Sequence, residues 1–396
     1  MRDFVIITRE YFDGENHFHN GPYSIAAVNG VIAAIYPYDL TKFTGRRPYS
    51  LLPAIKTGFL MPGLTEAHSH IFLDGSELDF TRRSEYLKSD AVNMLRVADV
   101  NILENLKYGI TAVNDAGDIY GINAIIKKQA DKFEGGFRFR TAGKAIRKKK
   151  KYGSFMAVET ETPGEIRTAA DQAVNEGDFL KILLTGIIDF ENGMVKGPPQ
   201  FNGDELKIMI DIAVKSGKRT AVHASGSEGL LAAVNSGVDS IEHGFFMTDE
   251  ILHKMRDKNI AWVPTFSPVE FQRIRPELAG WNAESADKIS RILDNHYEKL
   301  NRACRMGVTV LAGSDAGSYG VAHGCGLIDD MLYMHKAGMS TASVLRSATS
   351  LSRKIIGFET NDIKPGNILS AVCLSASPFA DISNLKKVER VLPGYN

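Results

Sequence analysis

The sequence predicts an α/β protein: a TIM-type (β/α)8 barrel inserted into a small sheet built from both termini. Three observations carry this. From Gly58 onward, short apolar runs alternate with longer amphipathic segments, the texture of parallel strands connected by helices. Both ends of the chain are instead rich in short β-like runs. At 396 residues, 44% hydrophobic and 24% charged, the chain is long enough for one large core and a smaller one.

Taken in order, Phe4–Thr8, Tyr23–Asn29 and Val31–Tyr36 read as strands, and Asn29-Gly30 between the last two is a hairpin signal. Eight further strands follow: Phe59–His68, Ile110–Asn114, Phe137–Ala142, Phe179–Leu184, Thr220–Ala224, Ser240–His243, Ala261–Phe266 and Thr309–Gly313. Helices are expected between them at Ala91–Leu106, Pro163–Asn175, Asp204–Lys215, Asp249–Lys258 and Ala286–Arg305. Gly109, Gly177, Gly217 and Gly307 stand just past helix ends, where a left-handed cap favours glycine. Beyond the helix-like Thr341–Ser350, strand character returns at Leu369–Ser375 and Val388–Leu392. The expected units are therefore residues 1–57 and 358–396 for the small sheet and 58–357 for the barrel. A doubly wound sheet is disfavoured, because no glycine-rich dinucleotide fingerprint follows the first strand.

Charge excludes some partners. Lys+Arg 47 balance Asp+Glu 47, so no global field draws the chain onto nucleic acid or an anionic membrane. Cys304, Cys325 and Cys373 are odd in number and widely spaced, which is no disulfide framework and fits a reducing compartment. The start MRDFVIITREYFDGENH lacks a signal-peptide core, and no stretch reaches the roughly 18 apolar residues of a membrane span. A cytoplasmic protein acting on a small molecule is expected, with homo-oligomerisation left open.

In a barrel the chemistry gathers at the C-terminal strand ends. The polar residues there are few: His68 and His70 in TEAHSH, Lys181 in FLKILLTG, His223 in TAVHAS, His243 in SIEHG and Asp315 in GSDAG. Strand side chains alternate, so His68 and His70 share a face and can address one ion. One histidine at a strand end is ordinarily a satisfied polar residue, but four histidines and an aspartate at one rim supply the nitrogen and oxygen ligands of Zn²⁺ or a similar divalent ion. Lys181 shares its face with Phe179 and Leu183, and burial there pushes an amine towards its neutral form. A neutral amine can take up carbon dioxide, and the resulting carbamate can bridge two ions. The competing reading pairs Lys181 with a carboxylate such as Glu66.

These residues resemble the amidohydrolase superfamily, within it the imidazolonepropionase-like and prolidase-like group with binuclear centres. PGLTEAHSH (Pro62–His70), YGITAVNDAG (Tyr108–Gly117), DFLKILLTG (Asp178–Gly186), AVHASG (Ala221–Gly226), SIEHG (Ser240–Gly244) and GSDAG (Gly313–Gly317) carry the likeness, and it spans nearly the whole chain. The resemblance implies a barrel with a β-sandwich from both termini, and two divalent ions, zinc first among the candidates: one on His68, His70 and Asp315, the other on His223 and His243, bridged by N6-carboxylated Lys181. It implies hydrolysis of an amide in an N-acyl amino acid or dipeptide with a free carboxylate, and Asp315 as general base and then general acid. The alternative is opening of a cyclic amide or imidazolone-type ring. Deamination is disfavoured, since His223 is followed by Ala-Ser-Gly-Ser and Glu228 lies too far on. A non-catalytic binding protein is disfavoured because every ligand position is intact.

The chain departs from the group in two places. IKPG (Ile363–Gly366) is followed by NILSAVCLSAS, without the usual Ala-Asp pair, which implies a structural consequence only. After the third strand stands a basic run, Arg147 to Lys151, followed by Tyr152 and Gly153. It reads either as a solvated surface run or as a carboxylate-recognising rim, with Arg147 and Tyr152 as the substrate contacts. His323 in VAHGCG aligns with a histidine common in the group's last loop, and is read as a substrate contact, a support for Asp315 or a plain loop histidine.

Overall fold

The computed structural model describes residues 3–38, 49, 52–130 and 136–392. The sandwich reading also takes in 1–2, 39–48, 50–51 and 393–396, which lie outside the described residues. Both termini meet in one mixed seven-stranded sheet, in which Ala371–Leu374 pairs antiparallel with Ala54–Pro62, and Ala54–Pro62 runs parallel to Phe4–Phe12. Asn29 and Gly30 turn with φ of 52° and 76°, the doubly left-handed geometry that joins Tyr23–Val28 to Val31–Pro37.

The parallel strands form two arcs. One holds Leu64–Ser69, Ile110–Asp115 and Arg138–Thr141; the other runs Ala157–Thr160, Ala145–Lys148, Leu180–Leu183, Thr220–Ala224, Ser240–His243, Ala261–Val263. Single backbone bonds join them: Asp178 N to Thr141 O at 2.7 Å, Ala67 N to Ala312 O at 3.0 Å, and an isolated bridge between Trp262 and Val310. The expected eighth strand, 309–313, makes only such isolated contacts, so no continuous ladder closes the ring among the described residues. Gly313 sits so close to its neighbours that a Cβ there would lie 2.5 Å from Val263 and 3.0 Å from His68 N. The bare backbone thus fills the space between strands one and seven.

Three further differences are local. The expected strand Phe59–His68 is two strands, since the chain passes from the terminal sheet to the parallel arc at Gly63, where a Cβ would collide with Thr111. Gly177 ends its helix with φ of −93° rather than left-handed; its smallness matters because a Cβ would come within 2.4 Å of Ala142 O. The last helix breaks into Thr341–Ser347 and Ser350–Ile356. The main helices match the periodic segments, with capping boxes at Thr162/Glu165 and Asn202/Glu205. Their apolar faces pack on the strands in one large core that includes Met209, Leu230, Trp262, Phe266 and Met331.

His296, in helix Ala283–Met306, belongs to that core. Its ring stacks on Phe245 at 3.9 Å, and its Nε2 bonds Pro264 O at 2.9 Å. Burial lowers its pKa from 6.5 to about 4. Between those values the unfolded chain binds the extra proton, so this contribution is complete above pH 6.5 and is lost as pH falls towards 4. Replacing His296 by glutamine is expected to flatten the slope of unfolding free energy over that window, by on the order of 2–3 kcal/mol across it. Denaturant titrations of metal-depleted protein at pH 4.5 and 7 check this.

Candidate metal centre

The strand ends bring His68, His70, Lys181, His223, His243 and Asp315 into one buried cluster. The His68 ring lies 5.4 Å from that of His70 and 5.2 Å from that of His243, and His223 and His243 are 4.4 Å apart. Register explains most of this. Leu183 pairs with His223, which pairs in turn with Glu242. On a regular strand Glu242 and His243 would face opposite ways. His243 escapes alternation by a left-handed backbone, φ 68°, and Thr265 (46°) and Asp315 (58°) turn inward likewise. Such conformations are costly for residues other than glycine and gather at functional sites.

Glu242 is the member that alternation hides from the sequence. It is 1% exposed; its Oε1 accepts from His68 Nδ1 at 2.8 Å, and its Oε2 is in contact with Lys181 Nζ. That contact corrects the pairing of Lys181 with Glu66. Glu66 instead accepts from His68 N at 3.0 Å, Ser314 N at 2.9 Å and Ser314 Oγ at 2.5 Å, and burial raises its carboxyl to about 7. It locks strand one to the turn that carries Asp315.

The electrostatics suit ligands more than ions. Burial lowers the Lys181 amine from 10.5 to about 7, so the neutral form is accessible near neutrality. Burial, followed by the charge of Lys181, lowers His223 to about 3; burial and then His223 hold His243 well below 6.5. Neutral imidazole is the form that binds metal. Burial works against the Asp315 carboxylate, but the rings of His68 and His70 outweigh it and hold the carboxyl well below its ordinary value.

Whether these residues fit an ion can be read from their unpaired atoms. Asp315 Oδ1 lies 3.2 Å from both His68 Nε2 and His70 Nε2, yet neither Asp315 Oδ1 nor His68 Nε2 makes a hydrogen bond of proper geometry, although both are buried. Buried polar atoms are rarely left so. With Nδ1–H donated to Glu242, His68 Nε2 presents a lone pair, and His243 Nδ1 is likewise held by Thr265 Oγ1 at 2.7 Å. Two imidazole nitrogens and a carboxylate oxygen converging on one point fit a divalent ion.

The three expected substrate contacts divide. Tyr152 lines a cavity of about 550 Å³ with His223, His243 and Asp315, its ring 5.4 Å from that of His223. Arg147 does not reach it. Its guanidinium donates to Glu159 Oε1 at 2.6 Å and to Lys151 O at 2.5 Å, and Lys148 and Lys149 pair with Glu205 and Glu161. Much of the basic run is therefore neutralised by carboxylates distant in sequence. His323 is also outside the cavity: buried, with Nε2 bonded to Leu73 O at 3.2 Å, it supports the loop after strand one and not Asp315. The cavity wall that the sequence did not reveal is the short hairpin Ile188–Asp189 and Met194–Val195, with Phe190 at its bend facing Trp281.

A parallel α/β scaffold with imidazoles, a lysine and carboxylates at its strand ends is the architecture of hydrolases that work with bound metal. Residues 59–393 match the model of the Amidohydrolase family, and the chain belongs to that family, hydrolases acting on carbon–nitrogen bonds. It is 27% identical over 303 residues to an uncharacterized protein of Mycobacterium tuberculosis, covering 76% of this chain and 75% of that one. The crystal structure of a Xaa-Pro dipeptidase with bound methionine matches with a TM-score of 0.82 at 24% identity, covering 98% of both chains. That of the Aspergillus niger ochratoxinase matches at 0.78 and 21%, covering 98% of this chain and 94% of that one. The fold shared with these structures implies a TIM-type barrel, and the family agrees with the prolidase-like resemblance of the motifs. Among the described residues no helix is long and apolar enough to cross a membrane.

Proposed function

We propose that this chain is a binuclear amidohydrolase that cleaves the amide of an N-acyl amino acid or dipeptide bearing a free carboxylate. His68, His70 and Asp315 would hold one divalent ion, His223 and His243 the second, and carboxylated Lys181 would bridge them; zinc suits the nitrogen-rich set. The parallel arcs would close as a barrel over residues 58–357, with 1–57 and 358–396 as the small domain, in a cytoplasmic protein. The supporting observation is the convergence of His68 Nε2, His70 Nε2 and Asp315 Oδ1.

When bound, the ions acidify water at neutral pH and polarise a carbonyl oxygen. The chain supplies the rest. Asp315 accepts the proton of the attacking water and passes it to the departing nitrogen. Ser318 Oγ, donating to Asp315 Oδ2 at 2.8 Å, aims that carboxylate, and the aromatic walls of the cavity, Tyr152, Phe190 and Trp281, limit the access of bulk water.

The test is metal analysis of purified protein, followed by a screen of N-acyl amino acids, dipeptides and small lactams. Close to two divalent ions per chain and release of two products from an acyclic amide are expected. Fewer than one ion, or turnover of lactams alone, would overturn the proposal.

A further inference from the structure

We propose that Arg83 is the carboxylate anchor of this site, and that substrate lies across two joined cavities with its scissile amide beside Asp315. This rests on the hydrolase reading above and assigns the acidic end of the substrate to a residue outside the basic run.

Next to the large cavity lies a second of about 310 Å³, and the two share Tyr152, Ser318 and Tyr319. Ser318 Oγ is bonded to Asp315, so the seam between the cavities runs past the reactive carboxylate. Phe155, in the wall of the second cavity, meets the His70 ring edge to face at 6.0 Å. Two lobes meeting at the catalytic carboxylate suit a substrate of two parts joined by an amide, one part in each lobe.

Arg83, in the short helix Phe80–Tyr86, lines the smaller lobe and is half-buried. Its Nη1 donates to Asp74 O and, at 3.2 Å, to Glu77 O; its Nη2 donates to Gly317 O at 2.9 Å. Three of five N–H groups are thus held by neutral carbonyls. The Nε–H and one Nη2–H carry no hydrogen bond among the described residues. Asp74 and Glu77 line the same lobe and act on the guanidinium through their charge, but among the described residues no carboxylate lies within ion-pair distance of it. Glu77 pairs with Arg82 at 3.6 Å and accepts from Asp79 N, while Asp74 Oδ1 accepts from Ser76 N. The Tyr319 ring, 5.8 Å from the guanidinium carbon, steadies its plane. A cation fixed in place and partly dehydrated, with two N–H groups still free, is pre-organised for an anion.

The other basic candidates are less suited. Arg147 has Glu159. Lys196 lines the large lobe, but it is exposed where Arg83 is half-buried. The carboxylate-bearing half therefore belongs in the Arg83 lobe and the acyl half in the larger, aromatic one.

The experiment compares benzoate release from N-benzoylglycine and from N-benzoylglycinamide, which lacks the carboxylate, in the metal-loaded wild type and in Arg83→Met, Arg83→Lys and Lys196→Met. In Arg83→Met, kcat/KM for the acid is expected to fall on the order of 10- to 100-fold. The amide should change less than about threefold, with partial recovery of the acid in Arg83→Lys. An equal fall for both substrates would mean that Arg83 only holds the loop at 74–77, and would overturn the proposal. So would an unchanged acid-to-amide ratio, or a fall in Lys196→Met instead. Should the wild type turn over neither compound, the hydrolase reading fails for this substrate and calorimetric binding of N-benzoylglycine decides on Arg83. Weakening of at least tenfold in Arg83→Met supports the anchor; equal binding, or none to the wild type, overturns it.

Discussion

Replacing Lys181 by alanine is expected to remove at least one of two ions per chain and to lower hydrolase activity by about a thousandfold or more. Ion-assisted polarisation contributes several kcal/mol to such reactions, and each 1.36 kcal/mol is about a factor of ten. The premise is chemical. A buried amine with its pKa near 7 can lose its proton and take up carbon dioxide, whereas an ammonium in the same place would repel both ions. Reconstitution supplies an independent readout: metal uptake by depleted wild type should speed up with added bicarbonate, and uptake by Lys181→Ala should not. Metal content unchanged in the variant would sink the carbamate.

Asp315→Asn is expected to lower kcat by roughly 10²–10⁴-fold, the usual weight of a general acid–base group. Asparagine is the informative choice because it tolerates the left-handed backbone at φ 58° that alanine would strain. An intact melting transition should therefore accompany the loss, separating chemistry from folding. Activity within about tenfold of wild type would reassign the proton transfer.

The buried cluster at the strand ends was legible because strand periodicity is a strong code. His68 and His70 two residues apart, and single histidines ending strands five and six, declare which side chains face the barrel mouth. Glu242 was not legible because the same code places it opposite His243, and only the φ of His243 lets both turn inward. Arg147 was misread because a basic run displays its charge but not its partners, and Glu159, Glu161 and Glu205 become visible only when the segments pack. His323 failed for a similar reason: sequence gives its place in the last loop but not that Leu73 O occupies it. The eighth strand looked apolar enough to pair, yet Gly313 and its close neighbours leave it isolated bridges only.

Three of the left-handed residues, His243, Thr265 and Asp315, also say something about how this site can decay. Each holds a backbone shape that the rest of the fold must stabilise, on the order of 1 kcal/mol or more apiece, and that only the chemistry of the site repays. A descendant released from hydrolysis would gain stability by admitting glycine at these positions. Among related chains, glycine at the places of His243, Thr265 and Asp315 should therefore mark lineages that kept the scaffold and abandoned the reaction.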